Sequence, residues 1–325
     1  MSLRRAELVS LAANAVGFGQ DLSDDVSGHG HDPFRVGQLR QSLIPRRILC
    51  RGWLGALFFA LLLGGCLSGD LAQARRAMDD GAYEVAARHF RRAAEAEPSN
   101  PERWEDLGRA ELAAERPERA RAAFERLAQL RPDSPGPRIL IGFSWEFQRR
   151  YEEAALAYEH ARQVAPDDPR GHRVLGTRLL RWGEAEAAIS PLARAVELGP
   201  DHAETWNALA MAQYQAERLD GAEAAFRQGI ALHDEHQGLR VGLAAMLINQ
   251  RRFQEALRIY DEVVDRWPRF AAAHVGRAIL LHELGRTQDA EDAFEEAVDV
   301  ARDPRPYLLR LRQYRELLQR EGETP

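Results

Sequence analysis

The sequence contains no lysine, so all 44 of the basic residues among its 325 are arginine. Its formal net charge is −6, and it therefore lacks the basic excess that would hold nucleic acid as a main ligand. Cysteine is limited to Cys50 and Cys66, which excludes a disulfide framework or zinc-finger spacing after residue 66. No apolar run reaches the ~20 residues that span a bilayer as a helix.

An apolar segment lies between residues 53 and 65, after three arginines at 46–51. Its 13 uncharged residues are typical of the apolar core of a secretory signal. The run ends in the letters LGGC, with the cysteine at Cys66, and this ending resembles the bacterial lipobox. The resemblance implies cleavage before Cys66 and a diacylglyceryl group on its thiol, which would anchor the mature chain to a membrane.

A signal that ends at residue 65 is much longer than the usual ~15–30 residues. We therefore interpret residues 1–45 as a disordered or mis-assigned extension and 46–65 as the lipoprotein signal peptide. On this hypothesis translation starts at a codon now read as Val36, Leu39 or Leu43. The alternative is a soluble cytoplasmic adaptor, in which residues 1–65 are an unusual N-terminal extension.

From residue 67 onward the sequence repeats with a period of 34 residues. Prolines recur at this spacing, and so do seven alanines, each followed four residues later by an aromatic residue or leucine. The pairs are Ala86 and Phe90, Ala120 and Phe124, Ala154 and Tyr158, Ala188 and Leu192, Ala222 and Phe226, Ala256 and Tyr260, and Ala290 and Phe294. A glycine or alanine precedes each of the last six alanines by twelve positions.

This pattern resembles the tetratricopeptide repeat, a pair of antiparallel helices that stacks on its neighbours. The resemblance covers seven repeats, which are 67–100, 101–134, 135–168, 169–202, 203–236, 237–270 and 271–304. It implies an all-α fold, an α-solenoid of seven helix pairs spanning 66–304. Residues 305–325 continue with an apolar stripe at helical spacing, which predicts a C-terminal capping helix and tail; a membrane-surface helix is the alternative.

Two kinds of residue inside the repeats indicate that each repeat is a pair of helices: glycines that interrupt a helix and polar residues that cap the start of one. Gly81, Gly183 and Gly285 fall near the middle of their repeats and predict the turn between two helices. Asn100, Ser134 and Asp168 each precede a proline, which predicts three N-caps.

No pattern that carries catalysis or holds a cofactor is found in the sequence. The letters HGHD at 29–32 and HDEH at 233–236 contain possible metal ligands. We interpret the first as part of the extension and the second as a looser connection between repeats. We therefore expect a non-enzyme without metal or cofactor.

The resemblance implies a groove lined by the first helix of each repeat, which binds a protein or peptide ligand. The predicted lining residues are Arg109, Phe143, Phe147, Arg173, Arg181, Asn207, Met211, Tyr214, Val241, Ile248, Asn249 and Ile279. This lining favours an apolar or aromatic segment of the partner. The absence of lysine disfavours the carboxylate-clamp type of groove, because arginine is not a simple substitute at fixed geometry.

Together these expectations predict a non-catalytic scaffold tethered to the bacterial envelope. Leu67, not aspartate, follows Cys66, and under the familiar lipoprotein sorting rule this favours the outer membrane, facing the periplasm. The architecture resembles the type IV pilus pilotins, which help secretin assembly, and also general scaffolds for envelope machines.

Overall fold

The structure, a computed structural model, describes residues 69–322, with side chains up to residue 319. The HGHD stretch, the predicted signal peptide and Cys66 lie outside the described residues. The described chain forms fifteen helices and no strand, and none of these helices is long and apolar enough to cross a bilayer. Their bounds are α1 69–79, α2 Tyr83–Ala96, α3 Pro101–Ala113, α4 Pro117–Leu130, α5 Pro135–Phe147, α6 Tyr151–Val164, α7 Pro169–Arg181, α8 Ala185–Leu198, α9 Ala203–Gln215, α10 Leu219–Leu232, α11 Gln237–Asn249, α12 Phe253–Arg266, α13 Ala271–Glu283, α14 Thr287–Val300 and α15 Arg305–Gly322.

The helices fall into two compact units, and the division lies inside α7, between Arg178 and Leu179. We call the described chain up to Arg178 the first unit and the chain from Leu179 the second unit. Each unit is built from helix pairs in which an odd-numbered first helix precedes an even-numbered second helix. The predicted all-α solenoid of helix pairs is confirmed.

The turn inside each helix pair places one residue in the left-handed backbone region. These residues recur every 34 positions and are Gly81, Glu115, Arg149, Gly183, Glu217, Arg251 and Gly285. The glycines tolerate a positive φ because they have no Cβ, whereas the four residues with side chains adopt it at some conformational cost. The predicted breaks therefore mark a turn that recurs with the repeat period.

The repeating alanines and their bulky partners form the core of both units. All seven alanines are completely buried, and every partner is buried as well. Gly108 shows how closely the helices of a pair approach, because a Cβ added there would fall within 3.0 Å of the Phe124 ring. The predicted core positions are thus confirmed at every repeat.

A hydrogen bond that recurs with the repeat period joins five of the seven first helices to the turn before them. The indole nitrogen of Trp104 donates to the Pro98 carbonyl at 3.0 Å, and Trp206 makes the same bond to Pro200. The residues that bond a carbonyl six positions upstream in this way are Trp104, His172, Trp206, Arg240 and His274. The tryptophans therefore combine partial or full burial with a fixed polar contact, as buried indoles usually do.

Two of the three predicted N-caps are present. The Asn100 side chain accepts a hydrogen bond from the Glu102 backbone nitrogen at 3.1 Å, and Asp168 accepts one from Arg170 at 2.9 Å. The prediction for Ser134 is wrong, because its side chain makes no capping bond to α5. The proline that follows Ser134 still starts the helix at a fixed φ.

The C-terminal helix α15 covers apolar residues of the last helix pair. Leu311 and Tyr314 are buried in one cluster with Phe294 and other core residues of α13 and α14. The Tyr314 hydroxyl donates to the Thr287 carbonyl at 3.3 Å, which fixes the helix against the start of α14. A terminal element of this kind shields a core that would otherwise face water.

Candidate partner-binding surface

The predicted groove residues all lie on first helices, as the repeat register requires. Arg109, Phe143, Phe147 and Arg173 belong to the first unit, and the other eight belong to the second.

In the first unit, Phe143 belongs to a network that joins α5, α6 and α7. Its ring meets the Tyr158 ring edge-on, with centroids 5.8 Å apart and planes at 66°. The Tyr158 hydroxyl donates to Glu146 Oε2 at 2.9 Å, and Arg178 Nε lies 2.9 Å from the same oxygen. The Arg178 guanidinium also lies 5.2 Å from the centre of the Phe143 ring. This network holds the surface of α5 in one arrangement.

Burial raises the pKa of Tyr158, and the negative charge of Glu146 raises it further. The phenol therefore stays neutral at physiological pH and continues to donate its hydrogen bond to Glu146. This hydrogen bond therefore does not depend on ionisation of the phenol near neutral pH.

Phe147 is the exposed member of the predicted set in the first unit. Its side chain is 52% exposed at the C-terminal end of α5, and Tyr151 is exposed at the start of α6. Arg109 pairs with Glu105 of its own helix at 2.9 Å, and Arg173 is half-buried. An exposed phenylalanine on a rigid helix is the kind of group that anchors a partner.

In the second unit, Tyr214 and Asn249 join two successive first helices. Asn249 Nδ2 donates to the Tyr214 hydroxyl at 2.6 Å, and burial raises the pKa of Tyr214. Asn207 and Met211 are half-buried on α9, and Arg181 is exposed at the end of α7. The accessible part of the predicted set in this unit is therefore mostly polar.

Three predicted groove residues of the second unit are core residues. Val241, Ile248 and Ile279 are only 3%, 8% and 3% exposed. Val241 and Ile248 lie on α11, which α9 and α13 both contact directly, whereas Ile279 is packed in the cluster that α13 forms with α14 and α15. The sequence carried a signal for this, because α11 is apolar nearly all round, and such helices are normally buried.

Arg178 is the residue of this surface that the sequence prediction missed. The equivalent positions in five of the other six repeats are Ala110, Ser144, Ala212, Met246 and Leu280, all of them buried and uncharged, whereas the first repeat has the exposed Arg76. After the first repeat Arg178 is the one arginine in this series, and in the structure it pairs with Glu146. Comparing residues at a 34-residue offset would have identified it.

The HDEH stretch makes structural contacts at the turn before α11. His233 Nε2 bonds the Pro200 carbonyl at 2.9 Å, and His236 accepts from the Leu239 backbone nitrogen at 3.3 Å. Hydrogen bonds from Arg266 and Arg240 lower the pKa of Asp234 to about 2. Within residues 69–322 no group of histidine, aspartate and glutamate side chains could hold a metal ion.

Comparison with known proteins supports the repeat assignment. The family model described as tetratricopeptide repeat matches residues 71–135, 146–203, 173–236 and 242–306. No curated protein matches the chain.

Similar solved structures include pilF from Pseudomonas aeruginosa, which is 16% identical, covers 66% of this chain and 97% of its own, and has a TM-score of 0.51. MamA from Desulfovibrio magneticus is 18% identical over 51% of this chain and 93% of its own, with a TM-score of 0.45. Yeast Tom70 is 16% identical over 75% of this chain and 63% of its own, with a TM-score of 0.47. At these identities the similarity is one of fold.

Proposed function

Because the chain belongs to the tetratricopeptide-repeat family, whose fold is typically a non-catalytic interaction scaffold, we propose that it is an envelope-tethered adaptor that binds a segment of a partner protein. The observation that carries the binding part of the proposal is Phe147, which is exposed beside the ordered network of Phe143, Tyr158, Glu146 and Arg178. A partner would bury an apolar or aromatic side chain against Phe147.

The rigid neighbours of Phe147 favour tight binding at this place. Side chains that are already ordered lose little conformational freedom when a partner binds, so more of the contact energy remains as affinity. Hot spots in protein interfaces are typically aromatic residues and arginines in such settings.

Substitution of Phe147 tests the binding surface. We expect Phe147→Ala to reduce partner capture at least tenfold while helical circular dichroism stays unchanged, since the side chain is not part of the core. Leu156→Ala is the matched control, because Leu156 is 70% exposed on the second helix α6. Equal capture by wild type and Phe147→Ala would remove this residue from the binding surface.

The proposed tether is a lipid on Cys66. Position 69 is three residues later, so a fully extended linker reaches at most about 11 Å. Such a tether would keep the helix pairs close to the membrane surface. We propose the outer membrane, with the scaffold facing the periplasm, from the lipobox resemblance and from Leu67.

Detergent partitioning of wild type and Cys66→Ala tests the tether. We expect wild type to enter the detergent phase and Cys66→Ala to remain in the aqueous phase. If both remain in the aqueous phase, the lipid anchor is wrong and the soluble adaptor with an unusual N-terminal extension replaces it.

For the partner we propose a component of an envelope machine, with the type IV pilus secretin as the first candidate. The support is the combination of a lipobox and a repeat array, which resembles the pilotins; the similarity to pilF shows the fold alone. Cross-linking in intact cells followed by mass spectrometry tests this candidate. A secretin among the dominant partners would support it, whereas peptidoglycan enzymes or barrel-assembly subunits in its place would exclude it.

A further inference from the structure

A cleft in the second unit lies on a different side of α11 from the predicted groove residues. It has a volume of about 540 Å³ and lies between the second helices α10 and α12, with α11 beneath them. Leu243 and Leu247 of α11 form its floor, whereas Val241 and Ile248 lie on another face of the same helix. This volume is within the range of pockets that hold ligands.

Four aliphatic side chains line the inside of the cleft, together with the buried Arg240. Ile230 of α10 and Ile259 of α12 form its two walls and are only half-buried, although they face the leucines of the floor. Ala231 lies on the rim and is exposed. Apolar side chains that are left partly open to water favour an apolar occupant.

The rim carries arginine on both sides. Arg227 of α10 remains 57% exposed although it pairs with Glu223. Arg258 of α12 is exposed, donates only to the Gln254 carbonyl at 3.3 Å, and has no ion pair with any residue in 69–322.

The acidic residues of the rim are already neutralised. Glu255 pairs with Arg252 at 2.8 Å, and Glu262 pairs with the buried Arg240 at 3.1 Å. The charge of Arg258 helps to lower the pKa of Glu255, but Arg258 forms no close ion pair within residues 69–322, and a carboxylate on the occupant would supply one.

The cleft is long enough to hold about two turns of a helix. On α12 its lining runs from Glu255 to Glu262, which is about two helical turns or roughly 11 Å. A groove between two helices with an apolar floor suits the apolar face of an amphipathic helix.

We propose that this cleft binds a short acidic amphipathic helix of a protein partner. The helix inserts apolar side chains at i, i+3 and i+4 spacing between Ile230 and Ile259. A carboxylate at its edge pairs with Arg258. This surface is separate from the one around Phe147, so the chain would hold two protein segments at once.

Selection of peptides on the purified protein tests the proposal. The probe is a phage-displayed library of random 16-residue peptides, and the best peptide is then measured by fluorescence anisotropy. We expect enriched peptides with leucine, isoleucine or phenylalanine at helical spacing next to aspartate or glutamate. Ala231→Trp fills the cleft from its exposed rim and should weaken binding at least tenfold. Arg258→Glu should weaken it about fivefold to tenfold.

Matched variants outside the cleft show whether the effect is local. Ala224→Trp adds the same bulk at an exposed position of α10, and Arg269→Glu makes the same charge change at an exposed turn residue. Both should bind within twofold of wild type, as should Phe147→Ala. The proposal is overturned if no peptide is enriched, if enriched peptides are basic or purely polar, or if they bind Ala231→Trp as well as wild type. None of these results bears on the surface around Phe147, which is tested by its own variant.

Discussion

The two units place the same buried aromatic side chain in two different ways. In the first unit, a Cβ added to Gly108 or Gly142 would overlap the ring found sixteen residues later, Phe124 or Tyr158. In the second unit, a Cβ added to Gly242 or Gly276 would overlap the ring found sixteen residues earlier, Phe226 or Tyr260. The ring therefore lies close against the first helix of its own pair in the first unit and against that of the next pair in the second.

For these four rings, glycine lies on the helix that the ring closely approaches. The position that holds Gly108 and Gly142 in the first unit is occupied by Ala210, Ala244 and Ala278 in the second. In the second unit the glycine is instead two residues earlier, at Gly242 and Gly276. The same repeat register thus permits two packing arrangements. They differ in which position of the first helix is a glycine and so lacks a methyl group.

The two units also differ in the surface that is open to a partner. In the second unit, α11 contacts the first helices α9 and α13 directly, and its apolar side is covered. Among the described residues, α3 and α5 of the first unit show no contact of comparable extent. Phe147 remains exposed there, so the two units differ in the apolar surface they present.

The largest effect is expected from removing one of these rings. Phe124→Ala and Phe226→Ala should each lower the free energy of unfolding by about 3–5 kcal/mol, since both rings are fully buried. Adding Gly108→Ala to Phe124→Ala, or Gly242→Ala to Phe226→Ala, should recover about 0.5–1 kcal/mol, because the Cβ fills vacated space and alanine favours the helix. Urea denaturation measures both cycles.

The test of the two arrangements is whether the effect of the glycine substitution on the unfolding free energy changes sign when the ring is removed. The same glycine substitutions must destabilise the wild-type background while they stabilise the ring-deleted one. If Gly242→Ala has the same effect with and without Phe226, the ring of the second unit does not lie against the next pair and the comparison fails.

A smaller effect is expected from single substitutions of the other two glycines. Gly142→Ala and Gly276→Ala should each destabilise the protein by about 1–3 kcal/mol, because the rings of Tyr158 and Tyr260 are fully buried and cannot move aside freely. Gly136→Ala is the matched control, since its nearest neighbouring atom lies at an ordinary 3.6 Å. Thermal unfolding that ranks Gly136→Ala with the other two would contradict the packing interpretation.

Most of the fold could be predicted from the sequence, because the 34-residue period is a local property of the chain. The period predicted the buried alanines, the bulky residues that follow them and the turns at Gly81, Gly183 and Gly285. The structure places all of them as predicted. Each depends on contacts within a repeat or between neighbours, which a periodic sequence specifies directly.

The candidate site was less predictable, because exposure depends on how closely successive first helices approach. Val241, Ile248 and Ile279 hold groove positions in the register but are covered by neighbouring helices. Arg178 was missed because its position is normally a core position, although its charge was visible in the sequence. The proposed role of Phe147 as an anchor and the proposed lipid on Cys66 both remain predictions.

The N-caps offer a smaller test of local structure. Asn100→Ala and Asp168→Ala should each cost about 1 kcal/mol, because each side chain accepts a backbone hydrogen bond at the start of its helix. Ser134→Ala should change the unfolding free energy by less than about 0.5 kcal/mol, since Ser134 makes no such bond. A destabilisation by Ser134→Ala equal to that of Asn100→Ala would show that Ser134 caps α5 in solution.

The smallest expected effect is a pH dependence of the unfolding free energy that comes from a histidine N-cap in the second unit and has no counterpart at the asparagine N-cap of the first. His236 occupies in the second unit the repeat position that Asn100 occupies in the first, and its Nδ1 accepts from the Leu239 backbone nitrogen at 3.3 Å. Burial lowers the pKa of His236 from its ordinary value of 6.5, and Glu204, 3.9 Å away, opposes this only in part. A proton on Nδ1 would remove the acceptor and place a positive charge at a helix N-terminus.

The direction of the pH effect follows from proton binding. Between the lowered pKa of folded His236 and 6.5, the unfolded chain binds more protons than the folded protein. The free energy of unfolding should therefore fall as the pH drops below 6.5. His236→Asn keeps an acceptor at the cap and does not titrate, so its urea-denaturation midpoint should decline less steeply than that of wild type between pH 7.5 and 5. If the midpoints of wild type and His236→Asn decline in parallel, the histidine cap responds to acid no more than an asparagine cap does. The N-caps of the two units would then not differ in their dependence on pH.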